Sequence, residues 1–186
     1  MQMLAHLWLP VLLSAVIVFV ASSLIHMIFK WHNSDYQGLP DEEGARAALR
    51  LHPPAPGQYF LPYTPDMKDR EKPEVAQKWK EGPVAFIIVS PNGMPAMGKA
   101  LGLWFLYAIA VAFMAAYVAA ATLPAGTHYL RVFRVVGTVS FLTYVGGSVQ
   151  GGIWWGKPWK TVFKDLVDGL IYGLLTAGVF GWLWPR

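Results

Sequence analysis

The run Lys164–Trp184, KDLVDGLIYGLLTAGVFGWLW, decides how this chain folds. Its twenty-one residues are long enough to cross a hydrocarbon core of about 30 Å at about 1.5 Å per residue. Gly169, Gly173, Ala177 and Gly181 recur every four residues, so on a helix they form one narrow face where a second helix backbone can come close. Asp165 and Asp168 stand where the apolar run begins. A lone charge in hydrocarbon costs about 2.5 to 3.5 kcal/mol on insertion scales, so each acid needs a partner. Lys164 and Asp168 are four apart on one helical face, with Lys157 and Lys160 close in sequence, and the expected arrangement is an interfacial ion pair. A proton or cation relay beginning at these carboxylates is the alternative, but no acid or histidine deeper in the run continues it.

The composition agrees with a membrane setting. The chain of 186 residues is 55% hydrophobic and only 14% charged, where soluble proteins carry roughly a quarter charged residues. With no cysteine there is no disulfide framework, thiolate metal site, iron–sulfur cluster or cysteine nucleophile. The formal charge of +4 is not a nucleic-acid signal, because the long polar segment is balanced and the excess lies beside apolar runs. No nucleic-acid partner is expected.

Upstream, residues 1–29 contain no Asp, Glu, Lys or Arg, and Leu7–Phe29 reads as a first span. An uncleaved anchor is expected rather than a signal peptide, since the start lacks a basic residue and the apolar run exceeds the usual 7 to 15 residues. Residues 30–99 hold nine basic and nine acidic residues with ten of the fourteen prolines. Within them, Pro40–Glu43 followed by Ala45–Leu51 predicts a short helix, Gln58–Leu61 and Val84–Val89 predict strands, and Pro73–Lys80 predicts a helical turn or two. Ala100–Leu123 predicts a second span with Ala108, Ala112, Ala116 and Ala120 as a small-residue face that could receive the glycine ladder. Val135–Gly156 predicts a third span, the most polar, with Thr138, Ser140, Thr143, Ser148 and Gln150 able to bond across a bundle.

The expected fold is therefore an all-α membrane protein of four transmembrane helices with a small α+β cytoplasmic loop domain between helices 1 and 2. The divisions are residues 1–29 for the first span, 30–99 for the loop domain and 100–186 for the other three spans. Twelve of the fifteen Lys and Arg residues fall on the loop side, which the positive-inside rule places in the cytoplasm, with both termini periplasmic. Trp8, Trp182 and Trp184 are expected at one interface and Trp31, Trp154, Trp155 and Trp159 at the other. The outer side then carries Arg131, Arg134 and Arg186 without an acidic side chain. Arg131 and Arg134, three apart, are candidates to anchor a lipid headgroup or an acidic patch of a partner.

The histidines invite a haem or metal reading. His6 and His26 are about 30 Å apart along one helix and cannot share a site. His6 with His128, or His26 with His32, remain as pairs, but no HxxxH or HExxH spacing on a span supports either. Met94 and Met97 lack Cys or His nearby and read as apolar surface residues, and Gly146-Gly147 and Gly151-Gly152 lack the Lys-Ser/Thr of a phosphate loop. No cofactor, metal or catalytic residue is expected on these grounds.

Five stretches carry a likeness: Trp31-His32-Asn33-Ser34-Asp35-Tyr36, Glu81–Val84 through Pro91–Pro95, Leu130–Thr138, Lys164–Gly173, and Gly181–Pro185. Through them nearly the whole chain resembles a family of uncharacterised small four-span bacterial inner-membrane proteins. The resemblance implies a multi-pass protein of the bacterial inner membrane and no assigned reaction, so it transfers no site residue. The leading functional expectation is a non-catalytic accessory or scaffolding subunit of a larger respiratory or photosynthetic membrane assembly. Its partners would be the lipid bilayer and other membrane subunits or further copies of itself. The alternatives are a small-solute or ion transporter acting as an oligomer, and a haem or quinone membrane oxidoreductase.

Overall fold

The computed structural model describes residues 2–186. In chain order it contains α1 (Gln2–Ala5), α2 (Trp8–Ser23) running into a π-helical turn (Leu24–Phe29), and a 3₁₀ turn (Trp31–Asp35). Then come α3 (Glu42–Leu51), β1 (Gly57–Leu61), a second 3₁₀ turn (Met67–Glu71), α4 (Pro73–Glu81) and β2 (Ala85–Val89). Three long helices follow: α5 (Met97–Thr122), α6 (Tyr129–Trp154) and α7 (Trp159–Trp182). The chain divides into two compact units, Met1–Tyr36 with Ala96–Arg186, and Gln37–Pro95. The polar segment 30–99 is thus not all one unit: the Trp31–Asp35 turn and residues 96–99 belong with the long helices.

In the helical unit, Trp8–Phe29, Met97–Thr122 and Tyr129–Trp154 are long and apolar enough to cross a membrane. The fourth long helix, α7, is of similar length but carries Lys160, Lys164, Asp165 and Asp168 in its first half. Among the described residues three helices, not the expected four, are thus long and apolar enough to span. The end of α7 is nevertheless fixed beside the α5–α6 turn: Gly126 N–H donates to Pro185 O at 2.9 Å, and Trp184 Nε1 donates to Pro124 O at 3.1 Å. Trp184 is consequently buried, whereas Trp8 and Trp182 are exposed at the same end.

The glycine ladder of α7 is filled by α6. A Cβ on Gly169 would collide with Val145 Cγ1, one on Gly173 would meet Phe141 N at 3.2 Å and Gly137 O at 3.3 Å, and one on Gly181 would meet the Tyr129 ring at 2.6 Å. Gly137 answers in kind, with Ala177 Cβ 3.2 Å from its own Cβ position. Residues 137, 141 and 145 share the four-residue spacing of 169, 173, 177 and 181, so matching ridges interlock. The alanine face of α5 does not receive this ladder. Ala112 and Ala116 pack in a cluster with Leu7, Val11, Val136 and Phe180, and Ala108 packs with Ala15, Val18 and Tyr172. Because lipid tails are as apolar as leucine, such close packing contributes more to helix association in a bilayer than exclusion of water does.

The smaller unit is held by local interactions. The Asp41 side chain caps α3 by accepting from Gly44 N–H at 2.9 Å. β1 and β2 pair antiparallel from Gly57 with Val89 to Leu61 with Ala85, close to the expected strands. The Arg70 guanidinium lies 5.1 Å from the centre of the Trp79 ring, and Trp79 Nε1 donates to Thr64 Oγ1 at 3.3 Å.

Candidate functional site

The site begins where the first long helix changes its winding. Leu24–Phe29 is π-helical, and Lys30 then takes a left-handed conformation with φ of 51°. A π-turn inserts an extra residue into the helical repeat, and a non-glycine residue at positive φ reverses the chain abruptly. Together they fold the Trp31–Asp35 turn back so that the His26 and His32 rings stack, with centroids 4.7 Å apart and planes 10° apart. His26 Nδ1 lies 3.0 Å from Ser22 O. A carbonyl only accepts, so Nδ1 carries the proton and Nε2 the lone pair in neutral His26.

α7 meets this turn with two buried charged side chains. Lys164 Nζ donates to Trp31 O at 2.6 Å, Ser34 Oγ at 2.9 Å and Asp35 Oδ1 at 2.5 Å, which uses all three ammonium donors. The Asp35 side chain is 2% exposed, and its second oxygen accepts from His32 Nδ1 at 2.8 Å. The hydrogen bond from Lys164 holds the Asp35 carboxyl below the ordinary carboxylate range, opposed by burial and helped by His32. Asp168 lies one turn further along α7. Its Oδ2 is 2.9 Å from His32 Nε2 and 3.8 Å from His26 Nε2. One ring nitrogen each of His26 and His32 and an Asp168 oxygen lie within 4.8 Å of one another, a grouping able to hold a metal ion.

A second polar group stands beside the first. Asp165 accepts from Ser148 Oγ on α6 and from Lys157 Nζ in the α6–α7 turn, and Lys157 also donates to Ser148 Oγ at 3.2 Å. Gly156, at φ of 68°, makes the tight turn just before Lys157.

Both groups border a cavity of about 710 Å³ at one end of the bundle, between α2 with its π-turn, α5, α6 and α7. Its walls include Met97, Leu101, Trp104, Tyr144 and Tyr172 beside His26, Lys157, Asp165 and Asp168. The aromatic wall is ordered: Trp104 Nε1 donates to Ser22 Oγ at 2.8 Å, and Tyr172 meets the Trp104 and Tyr144 rings edge-on at 5.9 and 5.3 Å between centroids. Asp168 and Tyr172 line this cavity, and one polar atom of each, Asp168 Oδ1 and the Tyr172 hydroxyl, is buried without a partner among the described residues. Asp168 is 5% exposed and Tyr172 4%. A buried polar atom left unpaired costs about 1 to 3 kcal/mol, so two in residues that line one cavity is an arrangement that calls for a ligand or water.

The sequence-based expectations are redistributed by this geometry. Lys164 does not pair with Asp168 along the helix; it binds Asp35, while Asp168 turns to the histidines. The folded-back turn offers each charge a closer and more buried partner than the helix surface does. Arg131 and Arg134 are exposed on the first turns of α6 and form no ion pair among the described residues. Their helix begins at Tyr129, so both are helical residues, three apart as expected. Ser148 does bond across the bundle as expected, whereas Thr143 Oγ1 bonds its own helix at Val139 O and Ser140 Oγ is buried without a partner among the described residues. Asp35, Trp104 and Tyr172 were not expected at a site, whereas His26 and His32, weighed as a pair, are brought together beside Asp168. The available signal was the His-x-x-Asp of Trp31–Asp35, placed directly after an uncharged span in a chain with an intramembrane acid still lacking a partner. No family model, curated protein or solved structure matches the chain.

Proposed function

We propose that this protein is a multi-pass membrane protein that binds a small amphipathic molecule in the bundle-end cavity. The bound molecule has a neutral hydroxylated head and an apolar body. The head donates to Asp168 Oδ1 and bonds the Tyr172 hydroxyl, and the body lies against Trp104, Tyr144, Leu101 and Met97. The carrying observation is the pair of buried, unpartnered polar atoms in residues that line a cavity whose volume falls in the range of about 300 to 1,000 Å³ common to small-molecule sites.

The accessory-subunit reading draws less support, because the small-residue ladder that suggested an external partner is filled by α6. We read α7 as a fourth span. Its charged residues lie in its first half, Lys164, Asp165 and Asp168 among them are paired, residues 169–182 carry no charge, and its end abuts the α5–α6 turn. By the positive-inside rule the cavity then sits near the cytoplasmic face, at the bundle end that carries Lys157, Lys160 and Lys164.

Gly147 gives the test. It lines the cavity, and a Cβ there would meet nothing within 4 Å. Gly147→Phe should fill the space without disturbing the polar groups. Mass spectrometry of organic extracts from protein purified in mild detergent should find a molecule retained by the parent and lost from the variant. Identical extracts from the two would contradict the proposal.

A further inference from the structure

We infer that His26, His32 and Asp168 form a binding site for a divalent first-row transition-metal ion, held by the two Nε2 atoms and the carboxylate. The inference is independent of what fills the apolar part of the cavity. Ligand atoms about 2.0 to 2.1 Å from a common ion are separated by roughly 2.9 to 3.4 Å. His32 Nε2 and Asp168 Oδ2 already meet this at 2.9 Å. His26 Nε2 stands at 3.8 Å, and its half-exposed ring must turn out of its stack on His32 to bring that nitrogen to the ion.

The outer partners carry the argument furthest. Metal-bound histidines almost always donate their other ring N–H to a carboxylate or backbone carbonyl, which fixes the ring and raises its basicity. Here His26 Nδ1 has Ser22 O at 3.0 Å, and His32 Nδ1 has the Asp35 carboxylate at 2.8 Å, itself fixed by Lys164. Both rings are thus oriented from behind by acceptors, and both Nε2 atoms face the same carboxylate oxygen. An ion would replace the hydrogen bond between His32 Nε2 and Asp168. The ion takes Asp168 Oδ2 alone, which leaves the buried, unpartnered Asp168 Oδ1 for a headgroup or an ion-bound water.

Charge agrees. Among the described residues the lysines paired with this acidic group are Lys157 and Lys164, so three carboxylates stand against two ammonium groups and a dication meets net negative charge. Two imidazoles with one carboxylate select borderline ions such as Zn²⁺, Fe²⁺ or Co²⁺ over Mg²⁺ or Ca²⁺. The site sits at the polar end of the cavity, where an ion's open positions would face any bound headgroup.

The test uses the full chain in detergent with any affinity tag removed, stripped of metal and titrated with Co²⁺. The expected result is visible absorption bands saturating at one ion per chain and abolished by Zn²⁺. His26→Ala and Asp168→Asn should each weaken binding by about a hundredfold, and Asp35→Asn by about 10- to 100-fold. Asp69→Asn, in the smaller unit, should leave it unchanged. Because His26 is half-exposed, His26→Ala should keep the parent's melting temperature, which separates loss of the site from loss of the fold. Gly147→Phe should retain Co²⁺ while losing any cavity molecule, so the two proposals fail separately. No saturable bands in the parent, or equal binding by a folded His26→Ala variant, would overturn the inference.

Discussion

Lys164 and Asp35 lie 129 positions apart and meet at 2.5 Å, with their side chains 10% and 2% exposed. This pair fastens the turn after the first long helix to the start of the last, and so holds His32 against Asp168.

Breaking that pair from one side should be costly. Lys164→Met leaves the Asp35 carboxylate buried with only His32, and removal of one partner of a buried ion pair typically costs about 3 to 5 kcal/mol. The double variant Lys164→Met, Asp35→Leu should recover much of that loss. Thermal melts of the three variants in one detergent check this, and a double variant as unstable as the sum of the single ones would contradict the pairing.

The same pair sets an acid response. Asp35 is held below its ordinary value of 3.8, so the folded state binds this proton less readily than the unfolded chain does. Its contribution is complete above about pH 5 and is lost as the pH falls from about 4 through the lowered folded value. Asp35→Asn should flatten that part of the stability profile. Melting temperatures between pH 6 and pH 3 that decline equally in parent and variant would count against it.

Gly173→Leu should disrupt the α6–α7 contact, since its Cβ would press on the Phe141 and Gly137 backbone at 3.2 and 3.3 Å. Forced overpacking costs about 1 to 3 kcal/mol or more where backbone must move. Gly146→Leu, with nothing within 4 Å of its Cβ, is the matched control. Equal resistance of the two variants to detergent unfolding would be the adverse result.

Topology is open to single-cysteine labelling, because the chain has no cysteine of its own. With four spans and the loop inside, cysteines at Thr127 and Arg186 should react with an impermeant reagent in intact cells, and one at Asp69 should not. Reaction at Thr127 but not Arg186 would remove α7 from the spans. Reaction at Asp69 alone would invert the orientation.

The sequence shows the long helices and the small paired strands because each depends on local pattern: uncharged runs, alternating β-branched and aromatic residues, and proline punctuation. The ladder of Gly169, Gly173, Ala177 and Gly181 was equally readable, but its partner was not. Both α5 and α6 offer small residues at a spacing of four, and only the packing of Phe141 and Val145 decides between them. The need of Asp168 for a partner was also legible. Its identity was hidden because the π-turn and the left-handed Lys30 have no sequence signature, and without them His26 and His32 do not stack over α7.

Tyr172→Phe distinguishes a hydroxyl that binds a ligand from one that is merely buried. The hydroxyl has no protein partner among the described residues, so its removal should leave the fold as stable as the parent or slightly more so. If the cavity is a binding site, the same variant should lose most of the small molecule that co-purifies with the parent, measured by mass spectrometry of matched extracts. Full retention of that molecule by a stable Tyr172→Phe variant would contradict the account.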